Sequence, residues 1–239
     1  AIYIETPNGN QILIDGGPNG AILEELGRLM PVYDRSIDLL IVSNPDKDHI
    51  GGFLDVFGRF DVAQVMEPGT LSKTSTYKEF ERLTEEEGAE KIVGKKGMII
   101  DLDRGVYLSI LFPDRDVSNW STNDGSLVAK LVYGETSVLF PGDAPEKIEK
   151  YLVTSNRGLL NSDILKVGHH GSKTSTSREL VSAVSPNVAV ISAGRDSRYG
   201  HPHKEVINTL AGEKVLTLVT AQEGTIIFQS DGKEFVRIK

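Results

Sequence analysis

The chain has 239 residues but no cysteine, only one tryptophan and only five histidines. Without cysteine there is neither a disulfide nor a thiolate ligand, so any metal must be held by His, Asp or Glu, and the redox compartment stays open. No apolar run approaches the ~20 residues of a membrane span, and no signal-peptide pattern is present. Solenoid-period repeats, low-complexity tracts and linker-like stretches are also missing, so one domain over 1–239 is expected. Positive charge is scarce as well: 26 Lys and Arg face 34 Asp and Glu, a net charge of −8. That disfavours a broad electrostatic hold on nucleic acid and requires a phosphate-bearing partner to be gripped locally. The chain opens Ala1-Ile2-Tyr3-Ile4, without methionine and already in a strand pattern, so a trimmed N-terminus and a larger, membrane-anchored parent protein are both compatible with it.

What is present is organised around Ser43-Asn44-Pro45-Asp46-Lys47-Asp48-His49-Ile50-Gly51-Gly52. The apolar, β-branched run before it predicts a buried strand over 39–43, and the apolar spacing after it predicts a helix over 51–60. Two carboxylates and an imidazole therefore share a strand-to-helix turn. Such like-charge crowding is costly unless a cation or strong hydrogen bonds offset it. A plain capping turn with Asp48 at the helix start is the alternative.

The remaining chain repeats this arrangement. Residues 2–5 and 11–15 flank Asn8-Gly9, a hairpin signal, and helices are expected over 21–30 and 75–87. Two or three strands lie within 92–112, and a hairpin over 127–133 and 137–140 points at Pro141-Gly142-Asp143-Ala144. After a helix over 145–152, strand 164–167 runs into Gly168-His169-His170-Gly171-Ser172-Lys173. After helix 177–184, strand 188–192 runs into Arg195-Asp196-Ser197-Arg198-Tyr199-Gly200-His201-Pro202-His203. A helix over 203–210 and strands over 215–220, 225–229 and 235–238 complete the chain. Strands that meander first and alternate with helices later predict a layered α/β fold of mixed sheets. All five histidines, His49, His169, His170, His201 and His203, fall in polar loops after apolar strands. That clustering points to a metal or catalytic site at strand ends.

The ordered set Ile14-Asp15-Gly16-Gly17, Asn44 through Gly52, Asn123-Asp124-Gly125-Ser126, Pro141-Gly142-Asp143-Ala144, His169-His170-Gly171-Ser172 and Tyr199-Gly200-His201-Pro202-His203 resembles the metallo-β-lactamase fold hydrolases. Within them it is most similar to the soluble domain of the DNA-uptake channel proteins of bacterial competence, the ComEC type. The resemblance implies an αββα sandwich of two mixed β-sheets flanked by helices, with a metal site at one edge. It also implies ligand roles for Asp48, His49, Asp143 and one of His169 and His170, with Asp143 in the bridging position, while Asp46 is an added oxygen donor. Asn44 and Asp46 stand where the family pattern has histidines, and Asn123 stands near another histidine position. The carboxylate-rich remainder shifts the expected cofactor, one or two divalent ions, from zinc toward manganese.

From these residues follows the expectation of a metal-dependent phosphodiesterase or nuclease acting on DNA, RNA or a small phosphodiester. Asp48 would orient the nucleophile, and His201 and His203 would stabilise developing charge or protonate the leaving oxygen. Lys166, Lys173, Arg195 and Arg198 would form a small basic rim on the substrate side. Two other functions remain open: a metal-poor, non-catalytic binding domain of the same fold, which Asn44 and Asn123 favour, and a hydrolase of β-lactams or esters. Fold alone does not choose among them.

Overall fold

The computed structural model describes residues 1–195, 197 and 199–239. The chain divides into two compact units, one of residues 1–95 with 113–127 and the other of residues 96–112 with 128–239.

The first unit is built on a five-stranded sheet of β1 (Ile2–Glu5), β2 (Gln11–Ile14), β3 (Ser36–Ile41), β4 (Asp61–Glu67) and β5 (Glu90–Val93), paired in that order. β1 is antiparallel to β2, as its Asn-Gly turn dictates, and the other neighbours run parallel. β3 is buried on both faces from Leu39 to Ile41, as a central parallel strand must be. Helices α1 (Ala21–Leu29), α2 (Lys47–Ile50), α3 (Phe53–Phe57) and α4 (Ser75–Glu87) accompany it. Leu26, Met30, Leu40, Phe53, Val65 and Phe80 belong to one continuous core. α4 starts where the Thr74 side chain accepts the Tyr77 N–H, and it stops at Gly88, which is left-handed with φ 74°.

The single helix expected over 51–60 is corrected. Helix begins earlier, at Lys47, and breaks at Gly51-Gly52 before resuming as α3. At the break the Gly52 N–H leaves the helix pattern and donates to the Gly17 carbonyl at 2.8 Å, and a Cβ on Gly51 or Gly52 would run into the Pro18 or the Gly16 carbonyl oxygen. Only bare backbone lets the loop after β2 close over the turn after β3.

The second unit carries a seven-stranded sheet of order β12-β11-β10-β9-β8-β7-β6 and a separate β13-β14 hairpin. Its strands are β6 (Ile99–Asp103), β7 (Val106–Phe112), β8 (Val128–Tyr133), β9 (Thr136–Phe140), β10 (Ile164–Lys166), β11 (Val188–Ile191), β12 (Leu216–Val219), β13 (Phe228–Ser230) and β14 (Phe235–Arg237). β6 to β9 meander antiparallel, and β9 to β12 run parallel through the crossovers α5 (Glu146–Leu160), α6 (Arg178–Val184) and α7 (Lys204–Gly212). α5 outlasts the helix expected over 145–152, passing a non-helical Asn156. The strand expected over 215–220 ends at Val219, where the short helix α8 (Thr220–Glu223) takes over, and the strand expected over 225–229 is observed as the shorter β13. Two mixed sheets flanked by helices is thus the observed class. In each sheet the parallel strands put their C-terminal ends along one edge, where polar loops gather.

One buried carboxylate of the first unit generates a pH dependence. Glu67 ends β4, accepts the Tyr77 hydroxyl at 3.0 Å and lies 3.6 Å from Lys91. Burial, and then the charge of Glu81, push its carboxyl from 4.5 up to about 7 against the opposing pull of Lys91 and Tyr77. The raised folded-state pKa means that this group's contribution is full below about 4.5 and is lost as pH climbs through about 7. Glu67→Gln should flatten that decline in denaturant melts between pH 5 and 8; a variant whose stability falls with pH as steeply as the parent's contradicts the assignment.

Candidate functional site

In the first unit the polar edge forms around Asp15, directly after β2. Its carboxylate accepts the Ser43 N–H at 2.8 Å, the Ser43 hydroxyl at 2.7 Å and His49 Nδ1 at 2.8 Å. Burial alone would push this carboxyl up, but His49 and the bonds from Ser43 outweigh it and hold Asp15 below its ordinary value. An ionised carboxylate can only accept, so Nδ1 of His49 holds a proton, and the neutral ring carries its lone pair on Nε2. That is the arrangement in which a carboxylate orients a metal-binding imidazole. Asp48, exposed on the same turn, brings a carboxylate oxygen within 4.8 Å of a His49 ring nitrogen.

Asn44 and Asp46 serve a different purpose in this turn. Asn44 is fully buried; its carbonyl oxygen accepts the Asp46 N–H at 2.9 Å and its amide donates to Asn123 Oδ1 at 2.7 Å. The Thr122 hydroxyl donates to Asp46 Oδ2 at 2.9 Å. Asn44 and Asn123 therefore form a clamp between the turn after β3 and the 113–127 segment, and one oxygen of Asp46 is already engaged.

In the second unit Asp143 follows β9, His169 and His170 follow β10, and His201 and His203 follow β11, all at the edge where parallel strands end. Asp143 is buried, and its Oδ2 lies 3.6 Å from His169 Nε2. The His169 N–H donates to the Gly142 carbonyl at 3.1 Å, tying these two loops together. His169 and His170 both adopt left-handed backbone, φ 47° and 55°, and Gly171 behind them at 82° could not carry a side chain, since its Cβ would lie 2.7 Å from that of Pro202. The His201 ring centroid is 5.8 Å from that of His169, 6.4 Å from His170 and 4.9 Å from His203. Burial first, and then its three histidine neighbours, lower the pKa of His201 despite Asp143, so His201 is neutral at pH 7.

Hydrogen bonds separate the roles of these rings. His170 Nδ1 lies 3.0 Å from the Ser192 carbonyl, which can only accept, so Nε2 of His170 carries the lone pair. His203 is the reverse: its Nδ1 accepts the Lys173 N–H at 3.2 Å, which puts the proton of the neutral ring on Nε2. His170 is thus set up to ligate and His203 to donate. Lys173 is exposed, Lys166 donates to the Val167 carbonyl at 3.0 Å, and the exposed Arg195 donates to the Ala221 carbonyl at 3.1 Å. Arg198, assigned to the rim from sequence, lies outside the described residues. Ser43, Thr122 and the Ser192 carbonyl were not singled out from sequence. Ser43 had a signal, its place at the mouth of the polar run, whereas the other two had none.

The donor chemistry within each unit suits a divalent ion: in the first, the imidazole of His49 with an acceptor on Nδ1 and the carboxylate of Asp48; in the second, the imidazole of His170 with an acceptor on Nδ1 and the carboxylate of Asp143. The clamp makes a separate prediction. Asn44→Ala leaves the half-buried Asp46 N–H and Asn123 Oδ1 without this partner, at a cost of at most roughly 1–3 kcal/mol for each group. In a double-mutant cycle with Asn123→Ala, urea melts should return a coupling of about 0.5–3 kcal/mol. Additive losses would show that the two amides do not act as one clamp.

Comparison with known proteins bears on the family and the fold. The family model of the metallo-beta-lactamase superfamily matches residues 1–195. ComE operon protein 3 of Bacillus subtilis is 32% identical over 82% of this chain, and Recombination protein 2 of Haemophilus influenzae is 33% identical over 92%. The chain spans only about a quarter of each of these relatives, 25% and 26% of their lengths. Among solved structures, the metallo-beta-lactamase fold protein YhfI of Bacillus subtilis superposes with a TM-score of 0.56 at 12% identity, covering 90% of this chain and 86% of its own. Zn(2+)-bound PqqB of Methylobacterium extorquens superposes with a TM-score of 0.52 at 9% identity, covering 91% and 84%. Those two structures speak to the fold; the family match over most of the residues settles membership, and this chain belongs to the metallo-β-lactamase superfamily.

Proposed function

We propose that the chain is a metal-dependent hydrolase of phosphodiester bonds in DNA or RNA. The observation that carries this reading is the partner on Nδ1 of each ring: an acceptor for His49 and His170, which in the neutral rings leaves Nε2 as an electron-pair donor, and a donor for His203, which in the neutral ring leaves Nε2–H as a proton donor. Asp48 and His49 in the first unit, and Asp143, His169 and His170 in the second, are the candidate ligands, with Asp46 adding one oxygen. A divalent ion supplies a lowered pKa for water and neutralises phosphate charge. The chain's own groups do the rest: Asp48 orients the attacking water, His203 hands its Nε2 proton to the leaving oxygen, and neutral His201 lies against it. Lys173 and Arg195, both exposed, are the candidate substrate contacts among the described residues. The name of one relative, Recombination protein 2 of Haemophilus influenzae, favours nucleic acid over a small phosphodiester.

The Asn44–Asn123 clamp favours a second reading, a domain that keeps the fold but binds metal too weakly to turn over. Metal analysis of protein purified without chelator, joined to cleavage assays on single-stranded DNA, separates the two. A carboxylate-rich donor set should make the Mn²⁺ form faster than the Zn²⁺ form; a faster zinc form at equal occupancy contradicts that preference, and cleavage with neither supports the second reading. His203→Ala should slow cleavage by roughly 10²–10⁴-fold, the usual worth of a positioned acid, with bound metal unchanged. Loss of the metal instead would make His203 a ligand.

A further inference from the structure

The loop between β10 and α6 carries His169 and His170 and is held in a costly shape. Three non-glycine residues in it have positive φ: His169, His170 and, at 62°, Thr176. Thr176 is the worst placed, because a β-branched side chain crowds the backbone in the left-handed region. It is also buried, and its hydroxyl has no hydrogen-bond partner among the described residues. Nothing local rewards this conformation, so something outside the loop must impose it.

That something lies on α5. Glu149 is completely buried, and its two carboxylate oxygens accept the N–H of Thr176 at 2.5 Å and of Ser177 at 2.8 Å. One turn earlier the Glu146 N–H donates to the Thr174 carbonyl at 2.9 Å. Ser177 then caps α6 through its hydroxyl, which accepts the Leu180 N–H at 3.3 Å. Toward the histidines, the Ser175 hydroxyl donates to the Gly168 carbonyl at 3.0 Å and the Ser172 carbonyl at 3.2 Å. The loop is thus pinned at its far end by a carboxylate and crosslinked back to the residue before His169. Glu149 shares the buried stripe of α5 with Ile148 and Leu152, where an alkyl side chain would be expected if packing were the only demand.

We propose that Glu149 is the positioning residue of the histidine loop: its two hydrogen bonds to the backbone at 176 and 177 impose the left-handed turn that aims His169 and His170, and the chain's hold on a divalent ion depends on it. The proposal rests on the metal-dependent reading above. Both bonds need acceptor oxygens, so Glu149→Gln sets an amide N–H₂ against a backbone N–H and loses one of the two.

The test measures Mn²⁺ affinity by electron paramagnetic resonance titration and, on the metal-free protein, the tautomers of the histidine rings by long-range ¹H–¹⁵N spectra. Glu149→Gln should weaken Mn²⁺ binding by about 10–100-fold, the usual loss when support behind a ligand is removed. His170 should also lose its single Nδ1–H tautomer, with a cooperative thermal melt retained. Glu146→Gln, one turn away, should change neither. Adding Thr176→Gly to Glu149→Gln should restore most of the affinity, since glycine adopts the positive φ without a brace. Parental affinity and an unchanged His170 tautomer in Glu149→Gln overturn the proposal. So does a Glu149→Gln that fails to fold with or without Thr176→Gly, because Glu149 would then support the fold at large. If the parent takes up no Mn²⁺, the proposed function fails, but the ring spectra still decide the role of Glu149.

Discussion

The bond between Asp15 and His49 is the constraint on which the first unit's polar edge depends. A carboxylate buried at a strand end is tolerable only if it is well hydrogen-bonded, and here the bonds come from an imidazole and both polar groups of Ser43. The same bonds fix the proton of His49, join the loop after β2 to the turn after β3, and leave no room for a side chain at Gly51 or Gly52. Chemistry and packing are therefore one requirement here. A change in Asp15 would free the ring and loosen the closure together.

The second unit meets a similar requirement by other means. Two of its histidines are oriented by backbone groups, the Ser192 carbonyl for His170 and the Lys173 N–H for His203, rather than by carboxylates. Backbone partners are fixed by the path of the chain, so the loop itself must hold an unfavourable path. Left-handed non-glycine residues cost of order 1–3 kcal/mol each, and three of them, His169, His170 and Thr176, lie in the loop between β10 and α6. The parallel strands β9, β10 and β11 provide the rigid edge from which these loops leave, and α5 braces them from behind.

Much of the fold was readable from pattern. The Asn-Gly hairpin, the buried run before Asp46 and the alternation of strands with helices in the second half each reflect a local rule, and each reappears in the structure. The errors fell where tertiary contact overruled local spacing. The helix expected over 51–60 breaks because two glycines meet the backbone of a loop more than thirty residues earlier, and α5 continues because its apolar stripe extends beyond the predicted end. Asn44 and Asn123 were visible as departures from a histidine pattern, but their bond to one another was not, since they lie 79 residues apart.

By itself the sequence determined the chemical inventory: no thiolates, five histidines confined to loops after strands, carboxylates beside them, and too little positive charge for an extended grip on nucleic acid. Only the tertiary structure decided which nitrogen of each ring holds the proton. An imidazole's tautomer is set by the partner of its other nitrogen, and those partners come from afar: Asp15 for His49 across 34 residues, Ser192 for His170 across 22 and Lys173 for His203 across 30. No local pattern encodes such pairings, because they exist only once parallel strands have brought their ends to a common edge.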